Sequence, residues 1–306
     1  MSSCSVFAIV VAYNGMRWYD RCIGSLIQSE VQVQTIVVDN ASKDGSAEYL
    51  ATHFPSIHLI ESKENLGFGK ANNLAMRYAL DHECDYVFLL NQDAWIEPNT
   101  IGRLIDIHHR HPEYGLLGPV QLNANKTKVI DDVIQFLINP DNVNKKLFSD
   151  ILLGTIEEVY PVAEINAAAW LLPRKTLETV GGFDPIFLHY GEDWNYLSRV
   201  LYHGMKVGLT PQLQVVHDCK EHVELPKGYE MNSDKWLLQR ATDILYPSNH
   251  LQKLMHYYRH LTLIKLLTLH RSTFRESIRS YLFLKKNKRI IEESIIQNRK
   301  TGPSWL

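Results

Sequence analysis

Residues 85–98 read DYVFLLNQDAWIEP, and in them five apolar side chains, Tyr86 to Leu90, run straight into Asn91, Gln92 and Asp93. An apolar run of that length, without polar alternation, fits a strand covered on both faces, as parallel sheets require. In such sheets ligands bind outside the carboxyl ends of the strands, so a polar break at the end of a buried run marks a candidate site. Upstream, VFAIVVAY (6–13), TIVVDN (35–40) and IHLIES (57–62) have the same character and comparable endings. The polar groups at those ends are Tyr13 and Asn14, Asp39 and Asn40, and Glu61 through Asn65.

Helical patterns fill the gaps. Residues 16–30 predict a crossover helix with Trp18, Cys22, Leu26 and Ile27 on its apolar side. SKDGSAEYL (42–50) supplies a turn and a helix start, KANNLAMRYALDH (70–82) a second helix, and Pro98 opens a third toward His111. Four strand–helix units within about 110 residues predict an α/β domain with a mostly parallel central sheet flanked by helices. Further on, EINAAAWLLPRKTLETVGGFDP (164–185) predicts a strand and a short helix, GEDWNYLSRVLYHG (191–204) a helix closed by Gly204, and KVGLTPQLQVVHD (206–218) a pair of strands. Residues 123–160 fit an acceptor-side insertion or edge strands, and from about residue 232 the chain is helical, with basic and apolar residues interleaved.

A chain of 306 residues with 45% apolar and 22% charged side chains can bury a large core, and it is unlike disordered or fibrous compositions. The net charge of −2 gives no pull toward nucleic acid. That charge is uneven: from Leu251 onward 12 Lys or Arg face three Glu, so the tail is basic and the remainder acidic. Cys4, Cys22, Cys84 and Cys219 are scattered and form no CxxC pair, which fits a reducing, cytoplasmic setting. The opening MSSCSVFAIVVAYNG has too short an apolar run and no preceding positive charge for a signal peptide.

Three features can carry chemistry. Asp93, where a strand meets a loop, can hold a hard divalent cation or simply cap a turn. Glu192 and Asp193 begin a helix, where acids are favoured by the dipole, yet an adjacent pair between Tyr190 and Trp194 also suits deprotonation of an alcohol. His217 closes LQVVHD at the end of an alternating run and is either a core residue or a metal ligand. NLGFGKANN (65–73) resembles a phosphate cradle, because Gly67 and Gly69 permit close backbone approach ahead of a helix N-terminus, but it matches neither dinucleotide nor P-loop fingerprints. The histidines of HHRHP (108–112) lie late in an exposed-looking helix and point to no site.

In order, VVAYNG, IVVDNASKDGS, ENLGFGKANN, LLNQDAWIEP, GGFDPIFLHYGEDWNYLSRV and the distal His217 resemble the GT-A-fold glycosyltransferases of family 2, within it the rhamnosyltransferase-like branch. The resemblance spans residues 6 to 218. It implies a GT-A catalytic domain over 1–230, with a nucleotide-binding half (1–122) and an acceptor-side half (123–230), and a helical basic C-terminal appendage (231–306). By the same resemblance Ala12, Tyr13, Asn14 and Asp39 would hold the base and ribose of a nucleotide-sugar donor, with Asn65, Gly67 and Lys70 near its ribose or diphosphate. Asp93 corresponds to the last acid of the family's metal motif, and His217 would be a second ligand to Mg²⁺ or Mn²⁺. Asn91 and Gln92 stand on the donor side where many relatives have acids, and a neutral amide ligates a divalent cation more weakly than a carboxylate. Asp193 would be the general base, with Trp170, Glu192 and Trp194 on the acceptor side.

The implied reaction is inverting transfer of a sugar from a dTDP-rhamnose-like or UDP-hexose donor to a hydroxyl of a glycan or lipid-linked acceptor, in surface polysaccharide synthesis. Two other readings stay open. A non-catalytic nucleotide-sugar-binding protein is favoured by Asn91 and disfavoured by Asp93 and Asp193. A sugar-nucleotide pyrophosphorylase would carry a Gly-rich basic loop after the first strand, where AYNGMRWYD has only Gly15 and Arg17. The basic tail suits peripheral contact with the inner face of the plasma membrane, or equally packing on the catalytic domain or a homodimer contact.

Overall fold

The computed structural model describes residues 4–130, 145–219, 233–268 and 271–306. The expected units appear in order: β1 (Val6–Ala12), α1 (Tyr19–Ile27), β2 (Val33–Asp39), α2 (Ser46–His53), β3 (His58–Glu61), α3 (Gly67–Asp81), β4 (Tyr86–Leu90), β5 (Ala94–Ile96) and α4 (Thr100–Arg110). Then follow β6 (Tyr114–Leu122), α5 (Lys145–Leu153), β7 (Tyr160–Pro161), β8 (Ala169–Pro173), α6 (Arg174–Thr179), α7 (Glu192–Tyr202) and β9 (Lys206–His217). Three helices end the chain: α8 (Asp234–Thr242), α9 (His250–Leu267) and α10 (Arg271–Asn298).

One sheet holds all the strands, in the order β3-β2-β1-β4-β8-β6-β9-β5, with β7 also on β9. β3, β2, β1 and β4 run parallel, and the register places Ala12 beside Asp39 and Asp39 beside Glu61, so their carboxyl ends form one edge. β8 then enters antiparallel to β4. Only Asn91 to Asp93 separate β4 from β5, a link of at most about 14 Å. Yet β5 pairs with β9 at the far end of the strand order, Ala94 opposite His217. The sheet therefore curls until its far edge returns to the end of β4. Apolar clusters fill both faces, one around Ile9, Met76, Trp170, Phe183 and Tyr196, the other around Val10, Ile23, Phe88, Leu104 and Leu171.

Several expectations are corrected here. Residues 16–18 form a separate 3-10 turn, which resets the phase of α1. The helix consequently buries Tyr19, Cys22, Ile23 and Leu26, leaving Ile27 exposed and ending before residue 30. α4 begins at Thr100, two residues beyond Pro98. The expected strand pair over 206–218 is one strand of 12 residues. Its register against β6 slips between Pro119/Thr210 and Val120/Gln214, so Pro211 to Leu213 bulge out. A bulge is where a strand tolerates a proline without an N–H. In the ambiguous stretch, α5 and the short edge strand β7 are formed, and residues 131–144 lie outside the described residues.

The basic tail packs on the rest of the chain. α8, α9 and α10 share a small core of Leu237, Ala241, Leu251, Leu254, Tyr258, Leu284 and Ile291. Asp184, buried in the loop before α7, takes hydrogen bonds from Ser294 Oγ and Asn298 Nδ2 of α10 and from the Ile186 N–H. Beyond α10, Ser304 O accepts from the Gly182 N–H at 2.8 Å, and the Gly302 N–H donates to Thr179 O at 2.9 Å. Gly181 (φ 83°) must be glycine: a Cβ there would stand 2.0 Å from Ser304 O. Removing the Asp184 acceptor strands two buried donors, so Asp184→Ala should cost about 3 kcal/mol of stability. Urea unfolding measures this, and a loss under about 1 kcal/mol would mean that the Asp184 hydrogen bonds add little to the docking of the tail.

Candidate active site

At the common edge of β1, β2 and β4 lies a cleft of about 570 Å³, lined by Tyr13, Asn40, Asn65, Gly67, Asn91, Gln92, Asp93, Leu188 and His189 among others. Seven of the residues singled out in the sequence thus share one cavity. Ala12 is buried beneath it, its carbonyl accepting from the Asn40 N–H at 2.8 Å. Asn14, at φ 49°, ties two loops together by accepting from the Lys43 N–H. Lys70 stands exposed on the first turn of α3.

The amides here do different jobs. Gln92 is occupied within the protein: its Oε1 accepts from the Tyr13 N–H at 2.8 Å and its Nε2 donates to Tyr13 O at 3.1 Å, clamping the end of β1. Gly15 leaves room for that clamp, since a Cβ there would meet Gln92 Oε1 at 2.2 Å. Asn40 directly follows β2. Its side chain accepts from the Leu66 N–H and donates to Asn65 and Gly67 O, which fixes the entry to α3. Gly67 and Gly69 serve this chain's own packing, because Cβ atoms there would meet Leu188 O at 2.1 Å and the Phe183 Cβ at 2.9 Å.

At the ends of β2 and β4 two acceptor atoms are left over. Among the described residues, Asp39 Oδ1 and Asn91 Oδ1 are buried without a hydrogen-bond partner, although Asp39 Oδ2 accepts from the Ser42 N–H. Buried acceptors without partners are costly and call for a donor or a cation. Beside Asn91, the curl of the sheet sets Asp93 Oδ1 3.3 Å from His217 Nε2. Burial would push the His217 imidazolium down in pKa, but the Asp93 carboxylate and Cys219 outweigh it and hold the group up at about 9. One carboxylate, one imidazole and an orphaned amide oxygen form a donor set that a divalent cation accepts when substrate phosphate completes it. No group of three His, Cys, Asp or Glu among the described residues could hold a metal by itself.

The second acidic cluster adjoins the cleft. Leu188 and His189 line it, and Tyr190 (φ 68°) and Gly191 (φ 97°) then turn the chain into α7. Burial, and then the neighbouring Asp193, raise Glu192 to about 8. Asp193 is raised by burial and by Glu164, while backbone N–H groups, including that of Trp194 at 2.8 Å, hold it down. Both members are raised, so burial disfavours two negative charges on the pair at neutral pH. Trp194 donates its indole N–H to Glu164 at 2.9 Å. Trp170, expected on the acceptor side, is instead fully buried, stacked on Phe183 in the core. Its place inside β8 faces it into the sheet's packing, and nothing in the local sequence separates the two placements. Lys235, over the Tyr190 ring at 4.7 Å, brings a cation from α8 that carried no motif.

Residues 7–162 match the family model described as glycosyl transferase family 2. Over 230 residues the chain is 25% identical to the N-acetylglucosaminyl-diphospho-decaprenol L-rhamnosyltransferase of Mycobacterium tuberculosis, covering 68% of this chain and 74% of that one. In structure it is similar to S. aureus TarS 1-349 in complex with UDP-GlcNAc (TM-score 0.59, 14% identity, 94% of this chain and 92% of that one). It is also similar to GalNAc-T7 with UDP, GalNAc and Mn²⁺ (TM-score 0.60, 12% identity, 94% and 57%). These likenesses bear out the GT-A fold.

The raised Glu192 carboxyl makes stability fall as pH rises. Below the unfolded value both states hold the proton. Between about 4.5 and about 8 the unfolded chain releases it while the folded chain retains it, and the difference is fully lost above that window. Glu192→Gln should match wild type in Tm at pH 5 and exceed it at pH 8.5. An equal Tm difference at both values would show that Glu192 ionises normally in the fold.

Proposed function

The chain belongs to glycosyl transferase family 2 and is a nucleotide-sugar glycosyltransferase, and we propose that residues 1–230 form an inverting catalytic unit to which 231–306 is docked. The carrying observation is a cleft lined by Asn91, with an orphaned buried oxygen, and by Asp93, which meets His217 at 3.3 Å, at the strand edge where Asp39 Oδ1 is also without a partner. Asp39 Oδ1 would accept from the donor's base or ribose, with Tyr13 and Asn65 flanking it. Asp93 and His217 would hold Mg²⁺ or Mn²⁺ together with the donor diphosphate, and Asn91 would face the same group. When bound, that cation neutralises charge on the departing diphosphate.

The acceptor hydroxyl would enter from the α7 side. Its oxygen attacks the anomeric carbon, the bond from that carbon to the diphosphate oxygen breaks, and the hydroxyl proton passes to Asp193. Asp193 is the proposed acceptor of that proton, and its raised pKa makes it a stronger base. The non-catalytic reading is disfavoured by this poised pair, and no Gly-rich basic loop after β1 supports a pyrophosphorylase.

A rhamnosyl donor and a lipid-linked acceptor are supported by the name of the mycobacterial relative. The tail supports contact with an anionic lipid surface. α9 exposes Leu263, Ile264, Leu266 and Leu267 around Lys265, and Tyr257 one face earlier, in a region rich in Lys and Arg. No helix among the described residues is long and apolar enough to cross a membrane.

Asp193→Asn should lower kcat about 10²–10⁴-fold and leave donor affinity unchanged by calorimetry. A parallel loss of affinity would make Asp193 structural. A thermal-shift panel of UDP, dTDP and GDP sugars with and without Mn²⁺ identifies the donor, and Asp39→Ala should weaken the best one by about 10–100-fold. Sedimentation with phosphatidylglycerol vesicles should retain the wild type and release Leu266→Asp/Leu267→Asp. If both stay in solution and light scattering finds a dimer that the double variant dissociates, the exposed face serves a second copy instead.

A further inference from the structure

Gln121 lies fully buried near the end of β6, its backbone paired with Val215 of β9, and its side chain spans the gap between His217 and Asn166. The amide Nε2 donates to the Asn166 backbone carbonyl at 3.3 Å and also to the Asn166 side-chain oxygen. A backbone carbonyl can only accept, so the nitrogen end of Gln121 must face Asn166 and the carbonyl end must face His217. Gln121 Oε1 stands 3.1 Å from His217 Nδ1. A buried carbonyl oxygen there requires an N–H on that ring atom, and in imidazole the hydrogen bond made by one nitrogen decides the role of the other.

We propose that Gln121 is a positioning residue that holds His217 with its proton on Nδ1, leaving Nε2, 3.3 Å from Asp93 Oδ1, as the ring atom that meets a divalent cation. This rests on the assignment of Asp93 and His217 as cation ligands made above. The segment that orients Gln121 also supports the link between β4 and β5: two residues after Asn166, Ala168 O accepts from the Asn91 N–H at 2.9 Å. Residues 166–168 therefore hold in register both the imidazole and the turn that carries Asn91 and Asp93. Cys219 also neighbours the ring, and Asp218 is tied to Trp18 by a 2.9 Å indole hydrogen bond and to Asp93 O through its own N–H. His217 is thus fixed from β6, β5 and the strand's own continuation, with Nε2 on the cleft side.

Long-range ¹⁵N–¹H NMR at alkaline pH, where the imidazole is neutral, reads the tautomer without any metal. Wild type should show His217 as the Nδ1–H form, and Gln121→Met, of nearly equal length but with neither donor nor acceptor, should lose that preference. Asn166→Ala, at a partly exposed site, keeps the test open if the core variant unfolds; it removes one of the two acceptors that hold the amide nitrogen, leaves the backbone carbonyl, and should weaken the same preference in part. Electron paramagnetic resonance of free Mn²⁺ supplies the second readout: Gln121→Met should bind the ion about 10–100-fold more weakly, and Gln121→Glu, which retains an acceptor, should stay close to wild type. An Nε2–H tautomer in wild type, or Mn²⁺ affinity unchanged in a folded Gln121→Met, overturns the proposal. A wild-type chain in the Nδ1–H form that binds no Mn²⁺ upholds the Gln121–His217 pairing and sinks the cation assignment, so the two failures are told apart.

Discussion

Everything at the site depends on a three-residue link. Asn91, Gln92 and Asp93 carry the chain from the middle of the sheet to its far edge, and backbone reach alone requires those two places to be near each other. The curl that results sets Ala94 opposite His217, which is why a carboxylate and an imidazole 124 positions apart in sequence come to 3.3 Å. Within the link the three polar groups divide: Gln92 clamps β1, Asn91 keeps an orphaned oxygen, and Asp93 meets the histidine. A shorter link would leave β5 unable to reach β9, and Asp93 would not meet His217.

Electrostatics across the cleft follow from unequal burial. On one side an acid and a base are paired, so the imidazolium is held above its ordinary range. On the other side two adjacent acids are raised together, Glu192 by burial and then by Asp193, Asp193 by burial and by Glu164. The loop leading into α7 is held from behind by the C-terminal helices through Asp184, so the basic tail supports the acidic pair although it supplies few groups to the cleft.

Much of this was legible beforehand. Unbroken apolar runs declared β1, β2 and β4, since only a doubly covered strand tolerates them, and the polar endings declared Asp39, Asn91 and Asp93 as groups facing outward from the sheet. Less legible were details set by phase and by contact. A 3-10 turn rotated the buried face of α1, a bulge at Pro211 let one strand run where two were expected, and Trp170 proved to be core because an indole inside a buried strand looks the same in sequence as one lining a pocket.

What the sequence by itself determined is the layered α/β domain and the identity of its polar strand ends, because those depend on periodicity and on neighbours within a few residues. Only the tertiary structure decided which polar groups meet. Gln121, Asn166, Glu164 and Lys235 belong to no motif, and their roles arise from strand order, register and the docking of α8, all of which bring together residues distant in the chain. Hydrogen bonds and charge interactions act over a few ångströms of space, whereas a sequence records only distance along the backbone.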